Sequence, residues 1–434
     1  LSTFADIILT NANVFTADDL NPSAQSVALR GSRIAFVGST QDAQTLIGPD
    51  TRVIDAGGRT LMPGFIDSHF HMFHGSLNLD RIAFEVCETY QDTAKAILDF
   101  AAANPAAPWL TGFGLRYNLG PGNIPLTRQH LDAILADRPI AITAYDGHTT
   151  WVNTLGLRTA GIFNGAECPA NSEVVLDENG EATGELKEYA ARHIDRLLPD
   201  PDPAAQRRLL KQGLQLASSM GVTSVHNMDG SDEQAALYAL LEEAGEMSVR
   251  VYMPYSIRVE TPFEAIAAEA FPLKEKYQTE MLRCGCVKLF IDGVIETHTG
   301  LLVEPYTDQP DTLGASNFDL EAFNRAIAEA DRLGLQIFVH SVGDGGVRRV
   351  LDAYELAQRQ NGKRDSRHRI EHIEVIHPAD LPRFKELGVI ASMQPLHAPA
   401  SADTHDIWPS RVGLERWGRS FAWRTLRQAG AVLA

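Results

Sequence analysis

From about residue 203 onward, short unbroken apolar runs alternate with longer segments whose apolar residues recur every three or four positions. Unbroken runs suit strands buried on both faces, and the three-four spacing suits helices packed along one side. The pattern predicts strands at 221–226, 249–253, 286–291, 335–340, 369–373 and 389–393, and helices at 203–219, 319–333, 344–359 and 378–387. Asp344 and the pair His377 and Pro378 stand where the last two helices begin, as an acidic residue or a proline in a first turn should. Repeated strand-helix units imply a parallel sheet, and this many favour an α/β fold closed as a (β/α)8 TIM barrel. The rival is an open doubly wound sheet, but no glycine-rich phosphate turn follows an early strand.

The first 60 residues read differently. Strand-like runs at 6–10, 27–38 and 52–61 are punctuated by turns, and Gly31 with Ser32 marks a hairpin. The expectation is a small β domain over 1–60, the N-terminal part of a β-sandwich, and a barrel over 61–434. Residues from about 75 to 215 separate the first two barrel strands, far more chain than an ordinary crossover needs. They are expected to fold over the barrel mouth as a lid or pocket wall. Trp109, Phe113, Tyr117 and Trp151 lie in this insertion, either lining an apolar pocket or forming the insertion's own small core.

Composition acts mainly by exclusion. The chain has 434 residues, 44% hydrophobic and 22% charged, which is ordinary globular usage. A net charge of -18 argues against nucleic acid or an anionic membrane surface as partner, since both are bound through clustered Lys and Arg. Cys87, Cys168, Cys284 and Cys286 are few and irregularly spaced, which fits a reducing compartment better than a disulfide framework. No run reaches the roughly 18 apolar residues of a membrane span. The reading is a soluble, cytoplasmic protein; Leu1 in place of Met leaves room for a removed leader.

Candidate chemistry gathers at one end of the strands. His69 and His71 are two residues apart at the end of an apolar run, so a strand would turn both to one face, a metal-gripping geometry. Placing each strand by its apolar run puts His69, His71, Lys288, His340 and His372 at or near strand C-terminal ends, the rim where barrel enzymes carry their chemistry. Singly, each has a structural alternative: His340 or His372 as a hydrogen-bonded core histidine, Lys288 as a side chain snorkelling from a strand end. A lysine between Val287 and Leu289 is harder to set aside, because burying an unpaired ammonium is costly and lowers its pKa.

Whole motifs reinforce this set: Pro63 to His71, Asp146 to Asn153, Thr183 to Leu186, Val287 to Gly293, His340 to Asp344, Arg369 to His372, and Ser392 to His397. With them the chain resembles the amidohydrolase superfamily, in particular its family 3 branch of N-substituted formamide deformylase-like proteins, over essentially its whole length. The resemblance implies a (β/α)8 barrel with a β-sandwich built from both chain ends, and a centre of one or two metal ions, usually zinc. Iron, manganese, nickel or cobalt suits the same donors. It implies that His69 and His71 hold the first metal, His340 and His372 the second, and that Lys288, if carbamylated, bridges them. It also implies an Asp just after the eighth strand; residues 428–434 end where that strand should be running, so the barrel is expected to be incomplete and the chain a fragment.

The function these features imply is metal-activated hydrolysis of the C-N bond of a small-molecule amide, N-acyl or N-formyl. His148, in a polar loop beside Trp151, is the candidate donor to the carbonyl oxygen. Trp151, Gln394 and His397 are candidate substrate contacts. His74, His226 and His298 also fall near strand ends and are read as supporting or structural. A homodimer is expected by analogy alone. Two alternatives stay open: a metal-dependent deaminase of a cyclic amidine, which would carry a glutamate at position 343 where this chain has Gly343, and a non-catalytic amidohydrolase-like scaffold.

Overall fold

The computed structural model describes residues 4–122, 124–145, 147–169, 171–199, 201–399 and 407–434. Asp146, the first residue of one of the motifs above, lies outside them. Residues through Ile66, together with Gly221–Thr223, form one compact unit, and the remainder forms a second.

In the first unit, a four-stranded sheet has the order 33–38, 26–30, 7–10, 52–55, and a three-stranded sheet has the order 23–24, 13–15, 60–61. Gly31, at φ 55, makes the tight connection between Ser26–Arg30 and Arg33–Gly38 that was read as a hairpin. Ile8, Ala28 and Ala43 fill one small core and Val14 and Val27 a second, so alternate residues of these strands face inward.

The second unit is organised by an eight-stranded sheet. Its strands are β1 (Phe65–Phe70), β2 (Val222–Asn227), β3 (Arg250–Ser256), β4 (Leu282–Phe290), β5 (Gln336–Ser341), β6 (Arg369–His372), β7 (Ile390–Ser392) and β8 (Val432–Leu433), each beside the next in chain order. From β2 to β8 each strand pairs with the next in parallel. This is the curled sheet of a (β/α)8 barrel, with the small sheets of the first unit as its accessory β-sandwich. The last strand is two residues long: Val432 and Leu433 pair with Ile390 and Ala391.

Alternation along the strands separates two layers. Val287, Leu289, Ile337, Val339, Ile370 and Ala391 pack outward against Phe323, Ile327, Val347, Leu351 and Tyr354 of the helices Leu320–Arg332 and Asp344–Asn361. Their neighbours along the strands, Cys286, Lys288, Phe338, Arg369 and Glu371, are therefore left for the barrel interior, where Cys286, Phe338 and Met228 make a small apolar plug. The long insertion folds on a six-stranded mixed sheet of order 173–176, 182–187, 149–152, 140–144, 110–115, 82–83.

Below the helices, Asp331 anchors the β5–β6 connection. It accepts from His368 Nε2 at 2.8 Å and Asn361 Nδ2 at 2.8 Å, and Arg364 stands 2.7 Å away. Burial opposes ionisation of Asp331, but the hydrogen bonds from His368 and Asn361 outweigh it and hold the carboxyl below its ordinary value. A depressed carboxylate pKa stabilises the fold above the unfolded value, near 4, and that stabilisation is lost as pH falls through the folded value. Asp331→Asn is expected to cost about 3 kcal/mol at neutral pH. Thermal melts from pH 7 to pH 3 should show a smaller acid-induced loss in the variant than in the wild type; equal losses would mean Asp331 carries no linked proton.

Candidate metal centre and active site

The interior residues of β4 to β7 come into register as two rows. Lys288, Phe338 and Arg369 are neighbours across the sheet, and so are Phe290, His340, Glu371 and Ser392. Arg369 lies deepest and uses every arm. It grips Glu371 with Nε at 2.8 Å and Nη2 at 2.9 Å, donates through Nη2 to Ser68 O and Ser392 Oγ, and through Nη1 to His226 Nδ1. Because a guanidinium only donates, His226 Nδ1 must accept, and burial beside Arg369 lowers the His226 pKa to about 4. Oε2 of Glu371, which also accepts from Arg369 Nη2, receives His69 Nδ1 at 2.6 Å. Burial works against the Glu371 charge, yet Arg369 and His69 hold its carboxyl well below the ordinary range.

His71 follows β1 and opens the short helix Met72–Leu77. Asn227, at the end of β2, accepts from Met72 N at 2.7 Å and donates to Asp229 O at 2.6 Å, which fixes Asp229 beside this turn. Asp229 Oδ2 then meets His71 Nδ1 at 2.9 Å and His74 Nδ1 at 3.0 Å. His71, His74 and Asp229 form a metal-binding cluster, with one donor atom from each within 4.8 Å of the others.

His340 ends β5 with Nε2 3.0 Å from Gly293 O, so Nε2 donates and Nδ1 keeps the lone pair. By alternation His372 would point out of the barrel. Positive φ at His372 (77) and Ile373 (51) turns the backbone, and the ring comes to 4.7 Å from that of His69 and 4.5 Å from that of His340, centroid to centroid. Non-glycine residues rarely sit there, and such strain collects at functional sites. Lys288 is 1% exposed, its Nζ 4.7 Å from the Phe290 ring centre. Burial brings its pKa down to about 8 despite the nearby Glu371. Among the described residues Lys288 Nζ and His372 Nδ1 are buried without a hydrogen-bond partner, a cost that a cation and its ligands would remove. The donor set therefore fits a divalent metal.

The insertion supplies the facing wall. His148 immediately precedes strand Thr149–Val152, and its ring lies 5.5 Å from that of His340. Its Nδ1 meets Glu188 Oε2 at 2.8 Å. On the opposite side His397 stacks on His372 at 5.2 Å and 11°, held by Glu374 at 3.2 Å, which also accepts from Trp408 Nε1 at 2.6 Å. Gln394 is partly buried just past β7, its Nε2 directed at Ser392 O. Trp151 is elsewhere: 1% exposed, it packs with Leu115, Ile142 and Tyr117 in the insertion core, so its bulk serves that core and offers no face to a ligand. Trp109 is likewise core. His298 pairs with Asp308 at 3.1 Å, away from this ring of histidines.

Sequence reasoning brought His69, His71, His148, Lys288, His340 and His372 together, and the fold gathers them. It gave no role to Glu371, Asp229 or Glu188, and left His74 and His226 as supporting. Glu371 was legible as the residue before His372 in the motif Arg369 to His372; Asp229 and Glu188 had no local signal.

A curled eight-stranded parallel sheet with a histidine-rich, metal-binding cluster at its strand ends defines a metal-dependent hydrolase of the barrel class. The model of the amidohydrolase family matches residues 52–434, and the chain belongs to that family. It is 29% identical over 441 residues to the protein LONG AFTER FAR-RED 3 of Arabidopsis thaliana, covering 99% of this chain and 74% of that one. It is 25% identical over 421 residues to an N-substituted formamide deformylase of Arthrobacter pascens, covering 93% and 75%. An uncharacterised metal-dependent hydrolase from Pyrococcus horikoshii has the same fold, with a TM-score of 0.74 at 23% identity over 99% of this chain and 81% of that one. The protein is an enzyme of the C-N hydrolase type. No helix among the described residues is long and apolar enough to cross a membrane.

Carboxylates that fix a ligating imidazole typically contribute ten- to hundredfold in metal affinity. Asp229→Asn is therefore expected to weaken metal retention about 10- to 100-fold, measured by competition with a chelator. Unchanged retention would remove Asp229 from the metal-binding cluster.

Proposed function

We propose that the protein hydrolyses the C-N bond of a small N-acyl amide, with N-formyl amines the first class to test, at a binuclear zinc centre. The ligands in this reading are His69 and His71 on one ion and His340 and His372 on the other, with carbamylated Lys288 as the bridge. The observation that carries it is the buried Lys288 amine, pKa about 8 and without a partner, among four imidazoles. Burial raises the share of the neutral amine, the form that takes up carbon dioxide, and a carbamate supplies the anionic oxygens that two cations need.

A divalent ion in this set supplies an acidified water and a Lewis acid for the carbonyl. The chain's own residues do the rest. Glu371 and Asp229 accept from the Nδ1 atoms of His69 and His71, so each ring presents Nε2. His148 faces the reacting amide from the insertion. His397 and Gln394 border the opposite side and contact the substrate. Trp151, despite its burial, stiffens the strand that follows His148. The formamide deformylase likeness supports the choice of N-formyl substrates.

The deaminase alternative meets a packing obstacle. A Cβ at position 343 would stand 2.0 Å from Leu301 O, so the glutamate such an enzyme would carry there has no room. Zinc among the divalent ions, a cytoplasmic location, a homodimer and a small-molecule substrate as sole partner complete the reading.

Purified protein is expected to carry about two metal ions per chain and to release formate from N-formyl amines. Lys288→Ala should leave one ion or none and abolish turnover; retention of both ions in that variant would remove Lys288 as the bridge. Failure to cleave any N-acyl or N-formyl amine with two metals bound would sink the substrate class.

A further inference from the structure

Two side chains from distant parts of the chain, Glu188 and Thr299, form a line behind His148. Its Nδ1 meets Glu188 Oε2 at 2.8 Å, and Glu188 Oε1 accepts from Thr299 Oγ1 at 2.8 Å. Thr299 is itself buried and fixed: its Oγ1 accepts from Val294 N at 2.9 Å and contacts Thr297 Oγ1 at 2.8 Å. Glu188 sits just past strand Ala182–Lys187 with φ 52, an unfavourable backbone for a residue with a Cβ, and its N–H is tied to His148 O at 2.8 Å. Strain is thus held at the residue that aims a carboxylate at His148. Packing points the same way. A Cβ added to Gly293 would lie 2.1 Å from Thr299 Oγ1 and 2.6 Å from Glu188 Oε1, so this junction closes only because residue 293 is glycine. Gly293 is also the residue whose carbonyl receives His340.

We infer that Glu188, braced by Thr299, is a positioning residue that fixes the Nδ1–H tautomer and the ring plane of His148. A carboxylate only accepts, so the neutral imidazole must place its proton on Nδ1, and Nε2 becomes the basic atom on the ring that approaches His340. The inference rests on the amide-hydrolase reading for its chemistry. With its Nδ1–H held by Glu188, the neutral ring offers the Nε2 lone pair to the site, so it accepts from an N–H of the amide and does not donate to its oxygen.

The test uses the purified, zinc-loaded protein with 15N-labelled histidine, the His148 signals being assigned through a His148→Gln variant. In the wild type, His148 should show a protonated Nδ1 and an unprotonated Nε2. Glu188→Ala should shift it to the Nε2–H form or to a mixture. Thr299→Val, which keeps the shape of the side chain, should shift it part of the way. With N-formyl substrates, Glu188→Ala should lower kcat at least tenfold, with KM and metal content within twofold of wild type. Persistence of the Nδ1–H form in Glu188→Ala, or an unchanged kcat, overturns the inference even if the enzyme hydrolyses amides. If the wild type cleaves no amide, the functional reading fails, and the tautomer shift alone still decides whether Glu188 positions His148.

Discussion

Burial of the Glu371 carboxylate inside the barrel is the constraint on which the rest of the site depends. An ionised carboxylate that deep costs several kcal/mol unless it is paired and hydrogen-bonded. Arg369 answers it with a two-pronged contact, and its other donors reach β1, β2 and β7 through Ser68, His226 and Ser392. One ion pair thereby ties four strands of the sheet at a single level. A buried pair is a weak source of stability, and its value here is geometric: Arg369 holds both oxygens of Glu371, and this fixes Oε2, which also accepts from Arg369 Nη2, where it meets His69. Lys288 is the residue left over. Its nearest buried carboxylate is already engaged, so its amine has no hydrogen bond and a reduced pKa.

The same device recurs around the ring. His69 is paired with Glu371, His71 with Asp229, His148 with Glu188 and His397 with Glu374, each through Nδ1. An imidazole held this way is fixed in tautomer and in ring plane, and its Nε2 is committed to the centre before any ligand arrives. His340 reaches the complementary result by giving Nε2 to a backbone carbonyl. His372 is the exception, placed by backbone strain and without a partner for Nδ1. Its position between His69, His340 and His397 is thus the one most open to adjustment when the site fills.

Much of the barrel was legible because strands buried on both faces must be apolar almost throughout. The runs read at 335–340 and 369–373 became Gln336–Ser341 and Arg369–His372, and the helix read at 203–219 became Pro203–Ser219. The histidines were legible for the complementary reason: polar atoms at the ends of such runs need a purpose. Their carboxylate partners were not. Glu371 lies 302 positions from His69 and Asp229 lies 158 from His71, so neither pairing leaves a local pattern. Trp151 was misread for a related reason. An aromatic beside a catalytic loop and an aromatic in a small core look alike until alternation in Thr149–Val152 is resolved, and that strand is buried along its whole length.

The insertion therefore does more than cover the barrel. Its sheet presents His148 at the start of one strand and Glu188 just past the end of its neighbour, and Thr150 pairing with Leu186 holds the two strands in register. The barrel meets them through the Gly293–Thr299 loop, where a side chain at position 293 would collide with both Glu188 and Thr299. Asp292 anchors the beginning of that loop. Buried and with its pKa raised to about 7, it still accepts from the backbone N–H groups of Leu301, Val342 and Gly343, which ties the loops after β4 and β5 together. A shift of the insertion sheet would consequently reach His148 and His340 together. The geometry between the wall and the metal ligands is set at this junction, by close packing at Gly293 and not by the barrel strands themselves.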